Sequence, residues 1–138
     1  MDGVLVDFVG GALKTHGRPE KPDWTRGYRL EDAMQMHRDE FWKPDMRLYR
    51  WWENLLPEEW ATGLVVTLSI LYPGIKVATK PEEFPGAWAG KKAWLQRNLP
   101  GLANRVTMTD DKAALAKPGV LLIDDSDKEV DNLSLIHI

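Results

Sequence analysis

The four residues Val120-Leu121-Leu122-Ile123 are apolar at every position and run straight into Asp124-Asp125. A strand with one wet face would alternate apolar and polar, so an unbroken apolar run ending in carboxylates predicts a parallel strand covered on both faces. The chain ahead of it alternates accordingly, with 75–79 read as strand, 86–99 as helix stopped by Pro100-Gly101, 105–108 as strand and 112–117 as a short helix. That order predicts an α/β fold. In open parallel sheets ligands bind outside the C-terminal ends of the strands, which puts Thr79 and Asp124 at one crevice.

The N-terminal part reads differently. Met1-Asp2-Gly3-Val4 is a carboxylate and a turn glycine leading into an apolar segment; 8–14 is a short helix despite Gly10 and Gly11, and 16–27 is loop by its Gly and Pro breakers. Apolar residues recur at helical spacing over 30–42 and 46–55, separated by Pro44, which predicts a small helical module. Pro57-Glu58-Glu59 reads as a first helical turn, with Trp60, Leu64, Leu68 and Tyr72 on one face until Pro73-Gly74. No internal repeat or low-complexity segment is present.

Composition narrows the function classes. A chain of 138 residues, 43% hydrophobic and without cysteine, suits one compact soluble domain and excludes disordered, collagen-like and disulfide-stapled chains. Eighteen basic and twenty-one acidic residues leave a charge of −3, and the basic ones are scattered, so no footprint for a nucleic acid polymer is visible. The longest apolar stretch, 64–72, is interrupted by Thr67 and Ser69 and falls short of the ~20 residues of a membrane helix. No membrane partner is expected, and the cytoplasm is the default compartment. Seven tryptophans in so short a chain promise either a heavy aromatic core or a flat seat for a ring-shaped ligand.

Asp2 to Phe8 at one end and Leu121-Leu122-Ile123-Asp124-Asp125-Ser126-Asp127 at the other resemble the first and last motifs of the haloacid dehalogenase (HAD) phosphatase superfamily. Val77-Ala78-Thr79 is similar to its second motif, and the lysine-bearing helix that follows to its third. More narrowly, Asp2 to Phe8, Lys91 with Trp94-Leu95, Thr109-Asp110-Asp111-Lys112 and Leu122 to Asp127 resemble the 5'(3')-deoxyribonucleotidase family. The resemblance covers most of the chain and is weakest over 15–56. It implies a Rossmann-like core with a parallel sheet (1–14 and 57–132), interrupted after the first motif by a helical cap (15–56). The implied enzyme is a phosphoric monoester hydrolase acting on nucleoside 5'-monophosphates, with deoxyribonucleotides preferred. A homodimer is left open.

The chemistry explains the residue types. Phosphoryl transfer needs positioned charge more than covalent machinery. Mg²⁺ offsets the phosphate charge, with Asp2, Asp124 and Asp125 as metal residues, Asp125 either orienting a ligand or capping the next segment. A hydroxyl at Thr79 and an ammonium at Lys91 hold phosphate oxygens. Spacing alone does not choose Lys91 over Lys92; the family match favours Lys91, three residues before Trp94. Asp2 matches the aspartate that protonates the leaving alcohol and then activates water. The nucleophile of the aspartyl-phosphate intermediate would stand two residues earlier, immediately before Met1, so the expectation is a truncated chain, inert itself, from an active parent.

By the same resemblance the cap receives the nucleobase, with Phe8 and Trp52 as stacking residues and Lys80 beside them on the substrate. The alternative for the aromatics is pure packing, and Trp60, Trp88 and Trp94 sit at core spacing. Asp7 and Asp127 read as turn or capping residues. His16, His37 and His137 show no ligand spacing, so no zinc site is assigned. Leu133-Ser134-Leu135-Ile136-His137-Ile138 matches one reading frame of a sequencing-library adapter and reads as a non-native tail (133–138), the alternative being an authentic final strand. Two other functions fit the same features: a HAD phosphatase for another small phosphomonoester, and a non-catalytic, aromatic-rich binding module.

Overall fold

Gly3 takes φ +75°, a left-handed conformation that costs glycine little, and so turns the chain immediately after Asp2. The computed structural model describes residues 1–18, 29–115 and 117–124. Amides of Leu5 and Gly3 close the turn onto the carbonyls of Met1 and Val6, burying Met1, Leu5 and Val6. Helix α1 (Phe8–Thr15) follows, capped by the Asp7 carboxylate, which accepts from the Gly10 amide at 2.8 Å.

The helical module is more fragmented than its periodicity predicts. Helix α2 (Leu30–Ala33) stops where Gln35 takes φ +55° and the Met36 amide reaches back to the Glu31 carbonyl, a Schellman-type ending. Helix α3 (Arg38–Phe41), a 3-10 turn over Pro44–Arg47 and helix α4 (Tyr49–Glu53) complete it. Helix α5 (Ala61–Leu71) begins later than residue 57, because Pro57 bridges to Val6 and the Glu58 amide donates to the Leu5 carbonyl. It carries no charged residue, yet meets the core chiefly through Ala61, Leu64 and Val65 and leaves Val66, Ile70 and Leu71 exposed.

Strands β1 (Val77–Thr79) and β2 (Val106–Met108) pair in parallel, Val77 opposite Val106 and Thr79 opposite Met108, with α6 (Pro85–Asn98) between them in sequence. The architecture is therefore α/β, a set of helices around a small two-stranded parallel sheet.

The expected strand over 120–123 is not formed. Val120, Leu121 and Ile123 lie outside any strand and are exposed. Among the described residues the sheet holds β1 and β2, and neither takes this run as a neighbour. Val77 and Thr79 direct their backbone bonds toward β2, so Ala78 faces the other way, where its carbonyl meets the Met1 amino group at 3.4 Å. Without a ladder to join, the apolar run stays unpaired.

Helix α6 organises the core. Its buried residues, Ala87, Gly90, Lys91, Trp94 and Leu95, follow the spacing of one helical face. Gly86 and Gly90 bring the preceding module flush against that face: a Cβ on Gly86 would overlap the Arg47 carbonyl, and one on Gly90 the Tyr49 carbonyl and the Trp52 Cβ. Trp94 is fully buried and its indole N–H donates to the Leu55 carbonyl at 2.8 Å. Trp60 and Trp88, expected to pack like Trp94, are about half exposed; their indole N–H groups donate to the carbonyls of Val4 and Glu82. Asp125, Asp127, Trp24 and the 133–138 segment lie outside the described residues. No helix among the described residues is long and apolar enough to cross a membrane.

Candidate active site

Lys91 lies midway along α6 on the face that packs inward, and its side chain is fully buried, whereas Lys92 points to solvent. An unpaired ammonium in such a place would cost several kcal/mol, roughly. It is not unpaired. Nζ donates to Asp2 Oδ2 at 2.7 Å, to the Lys80 carbonyl at 2.8 Å and, more weakly, to Thr79 Oγ1 at 3.4 Å. These three acceptors match the three protons of an ammonium. Glu82 Oε1 stands at 3.7 Å, and the Trp52 ring lies under the charge, 4.7 Å from Nζ to its centroid.

Each partner is delivered by a separate piece of backbone. Asp2 comes from the glycine turn, Thr79 from the C-terminal end of β1, and Lys80 and Glu82 from the loop between β1 and α6. The structure thus brings together three residues singled out in the sequence, Asp2, Thr79 and Lys91. Lys80 contributes its backbone carbonyl, while its side chain is exposed.

Asp2 has a second oxygen with a different status. Oδ1 is buried and has no hydrogen-bond partner among the described residues. A buried carboxylate oxygen left without a donor is costly unless a cation or other donor completes it.

A second ion pair closes the other flank. Lys112 Nζ contacts Asp124 Oδ2 at 2.6 Å, with the Asp124 side chain only 3% exposed. Lys112 follows the Thr109 to Asp111 turn, in which Thr109 Oγ1 receives the Asp111 amide and Asp111 receives the Ala114 amide. The Met1 amino group feels the charges of both pairs. Burial lowers its pKa, Asp2 and Asp124 oppose that shift, and Lys112 and Lys91 add to it. The carboxylates of Asp2 and Asp124 therefore act on one common group.

Glu82 is strained electrostatically. Burial raises its carboxyl pKa, Lys91 opposes the shift, and the neighbouring Asp2 charge adds to it.

The aromatic residues form a continuous cluster beside this site. Phe8 stacks on Trp52 at 5.5 Å and 23°, meets Trp51 edge-on at 5.8 Å and lies 6.0 Å from Trp42. Trp52 is enclosed at 1% exposure, with its N–H held by the Met46 carbonyl at 2.8 Å. In this arrangement Trp52 is floor to the Lys91 charge, and Phe8, partly exposed, is the ring nearer to solvent.

Two residues of the site escaped sequence reasoning. Lys112 lies inside a motif that carried the resemblance, and its spacing from Asp124 could have suggested a pair. Glu82 offered no signal beyond a carboxylate three residues after Thr79. Among the described residues no three His, Cys, Asp or Glu side chains converge as a metal-binding group. No protein-family model matches the chain, and no curated protein matches it.

Proposed function

We propose that these residues form the phosphate site of a HAD-type phosphatase with a Rossmann-like core, hydrolysing nucleoside 5'-monophosphates, deoxyribonucleotides among them. The observation that carries this reading is the pairing of a fully buried Lys91 ammonium with an Asp2 carboxylate whose other oxygen is orphaned. A site that accepts a phosphate must supply a fixed cation, hydroxyl donors and a place for a counter-ion; Lys91, Thr79 and Asp2 Oδ1 provide one of each.

The donor set fits Mg²⁺, which takes oxygen ligands and is held by one or two carboxylates, with water and substrate phosphate completing it. Asp2 and Asp124 are the residues that would hold it, and Asp125 lies outside the described residues. Such an ion supplies charge neutralisation of the phosphate.

The chain's own residues do the rest. The Lys91–Thr79 contact, at 3.4 Å the longest of the three, is the one a phosphate oxygen would replace. Asp2, ionised against Lys91, would first take up a proton at the orphaned Oδ1, give it to the alcohol oxygen as the P–O bond breaks, and, ionised again, take a proton from the water that attacks the phosphoenzyme. Phe8 presents a ring edge to a nucleobase, and Lys80 adds exposed positive charge at the mouth.

Titration calorimetry tests the site. The 138-residue chain should bind inorganic phosphate in a Mg²⁺-dependent manner; Lys91→Met should abolish binding, and Asp124→Asn should weaken it about tenfold, or ~1.4 kcal/mol. A nucleoside 5'-monophosphate should bind more tightly than a simple sugar phosphate. Phosphate binding indifferent to Lys91→Met would overturn the assignment.

A further inference from the structure

The Lys91 ammonium is faced by two carboxylates, and only one of them is hydrogen-bonded to it. Asp2 accepts at 2.7 Å, while Glu82 Oε1 stands at 3.7 Å, inside ion-pair range but beyond a hydrogen bond. All three ammonium protons are directed elsewhere, to Asp2, the Lys80 carbonyl and Thr79. Glu82 therefore contributes charge without satisfying a donor. It can leave without stranding a polar group.

Its position is nonetheless built. The backbone of Glu82 is pinned by the Trp88 indole, which donates to its carbonyl at 2.7 Å. The Glu82 side chain is 21% exposed and Asp2 24%, against 0% for Lys91, so both carboxylates reach toward solvent where the cation does not. An anion that reaches Lys91 comes within close range of Glu82, whose charge no hydrogen bond to the ammonium offsets. With Asp2 and Glu82 both ionised, the group of three carries a net charge of −1 and repels a phosphate dianion at short range.

We propose that Glu82 is a positioning residue that acts through Lys91 as a built-in competitor for the phosphate seat, lowering affinity for free phosphate. The proposal rests on the reading of this site as a phosphate site. A substrate with a nucleoside gains further contact at the aromatic cluster and displaces Glu82; inorganic phosphate, the product, has only its charge and does so poorly. The consequence is selectivity against the product, achieved by repulsion rather than by added attraction.

The test is calorimetric titration of the 138-residue chain with inorganic phosphate in the presence of Mg²⁺, comparing the parent with Glu82→Gln, Glu82→Asp, Glu83→Gln and Lys91→Met. Glu82→Gln keeps the shape and removes the charge, and should tighten phosphate binding about five- to tenfold, the effect of deleting one like charge at the edge of a partly screened site. Glu82→Asp, which keeps the charge, should stay near the parent. Glu83→Gln removes the same charge from the adjacent residue without facing Lys91 and should leave affinity unchanged. A purely structural role for Glu82 would give equal or weaker binding in Glu82→Gln, as would general loosening of the loop. If Glu82→Gln and the parent bind phosphate equally while Lys91→Met binds none, the competitor role is wrong and the phosphate site stands. If parent and variants alike bind none, both fall.

Discussion

The two lysine–aspartate pairs of the site are near mirror images. In Lys91–Asp2 the cation is fully buried and the carboxylate is 24% exposed; in Lys112–Asp124 the carboxylate is 3% exposed and the lysine 12%. Their lengths, 2.7 and 2.6 Å, do not distinguish them. Their mountings do. Lys91 is set in the middle of a fourteen-residue helix packed through Gly90 and Trp94, whereas Asp124 ends a segment with no strand neighbour. The cation on α6 is held by regular helical bonds on either side, while the carboxylate at 124 is carried by backbone in neither helix nor strand. The same contact is thus mounted firmly on one flank and less firmly on the other.

The sharpest way to break this contrast is to remove each lysine. Lys91→Met strands Asp2 beside a second carboxylate and should lower unfolding free energy by about 3–5 kcal/mol, the range for losing one partner of a buried pair. Lys112→Met should cost less, about 1–3 kcal/mol, because Asp124 is carried by backbone outside any helix or strand and can shift more readily than Asp2. Urea denaturation measures both, and equal losses would remove the distinction. Next in size is the mounting itself. Gly90→Ala inserts a methyl group where α4 touches α6 and should destabilise by about 1–3 kcal/mol on the same assay.

The smallest effect is a pH dependence. The folded chain raises the carboxyl pKa of Glu82, so between the ordinary glutamate range and that raised value the folded state binds more protons than the unfolded one. Stability of the parent therefore falls as pH rises through this window. Glu82→Gln should be the more stable protein at neutral pH, with an advantage that shrinks as the pH is lowered toward the ordinary glutamate range. Thermal melts across that range would show it, and a pH-independent difference would not fit.

How much of this was legible in the sequence depends on what each residue's role rests upon. Asp2, Thr79 and Asp124 could be picked out because a turn glycine and strand-like apolar runs sit directly beside them. Helical spacing did not choose Lys91 over Lys92, which rested on the resemblance alone, because the packed face of α6 passes through Ala87 and Gly90, small residues that a periodicity keyed to large side chains overlooks. The reading of Trp60 and Trp88 as core failed for a related reason. Their spacing is helical, but each indole N–H is spent on a carbonyl near the surface.

The fold shows the same division. Parallel pairing of β1 with β2 followed from the alternation of elements, with boundaries shifted by one or two residues. The break at Gln35 carried no glycine to announce it. The run at 120–123 has every property of a covered strand except a neighbour to pair with, and pairing is a property of the assembly that local sequence does not contain.

The absence of side chains at Gly86 and Gly90 has a mechanical consequence. Helix α4 rests backbone to backbone on α6, so Trp52 on the one and Lys91 on the other travel as parts of one solid piece. A ring pressing on the aromatic cluster would therefore push, at the same moment, on the buried ammonium; if the site takes a nucleotide as proposed, its two halves would be sensed by a single lever.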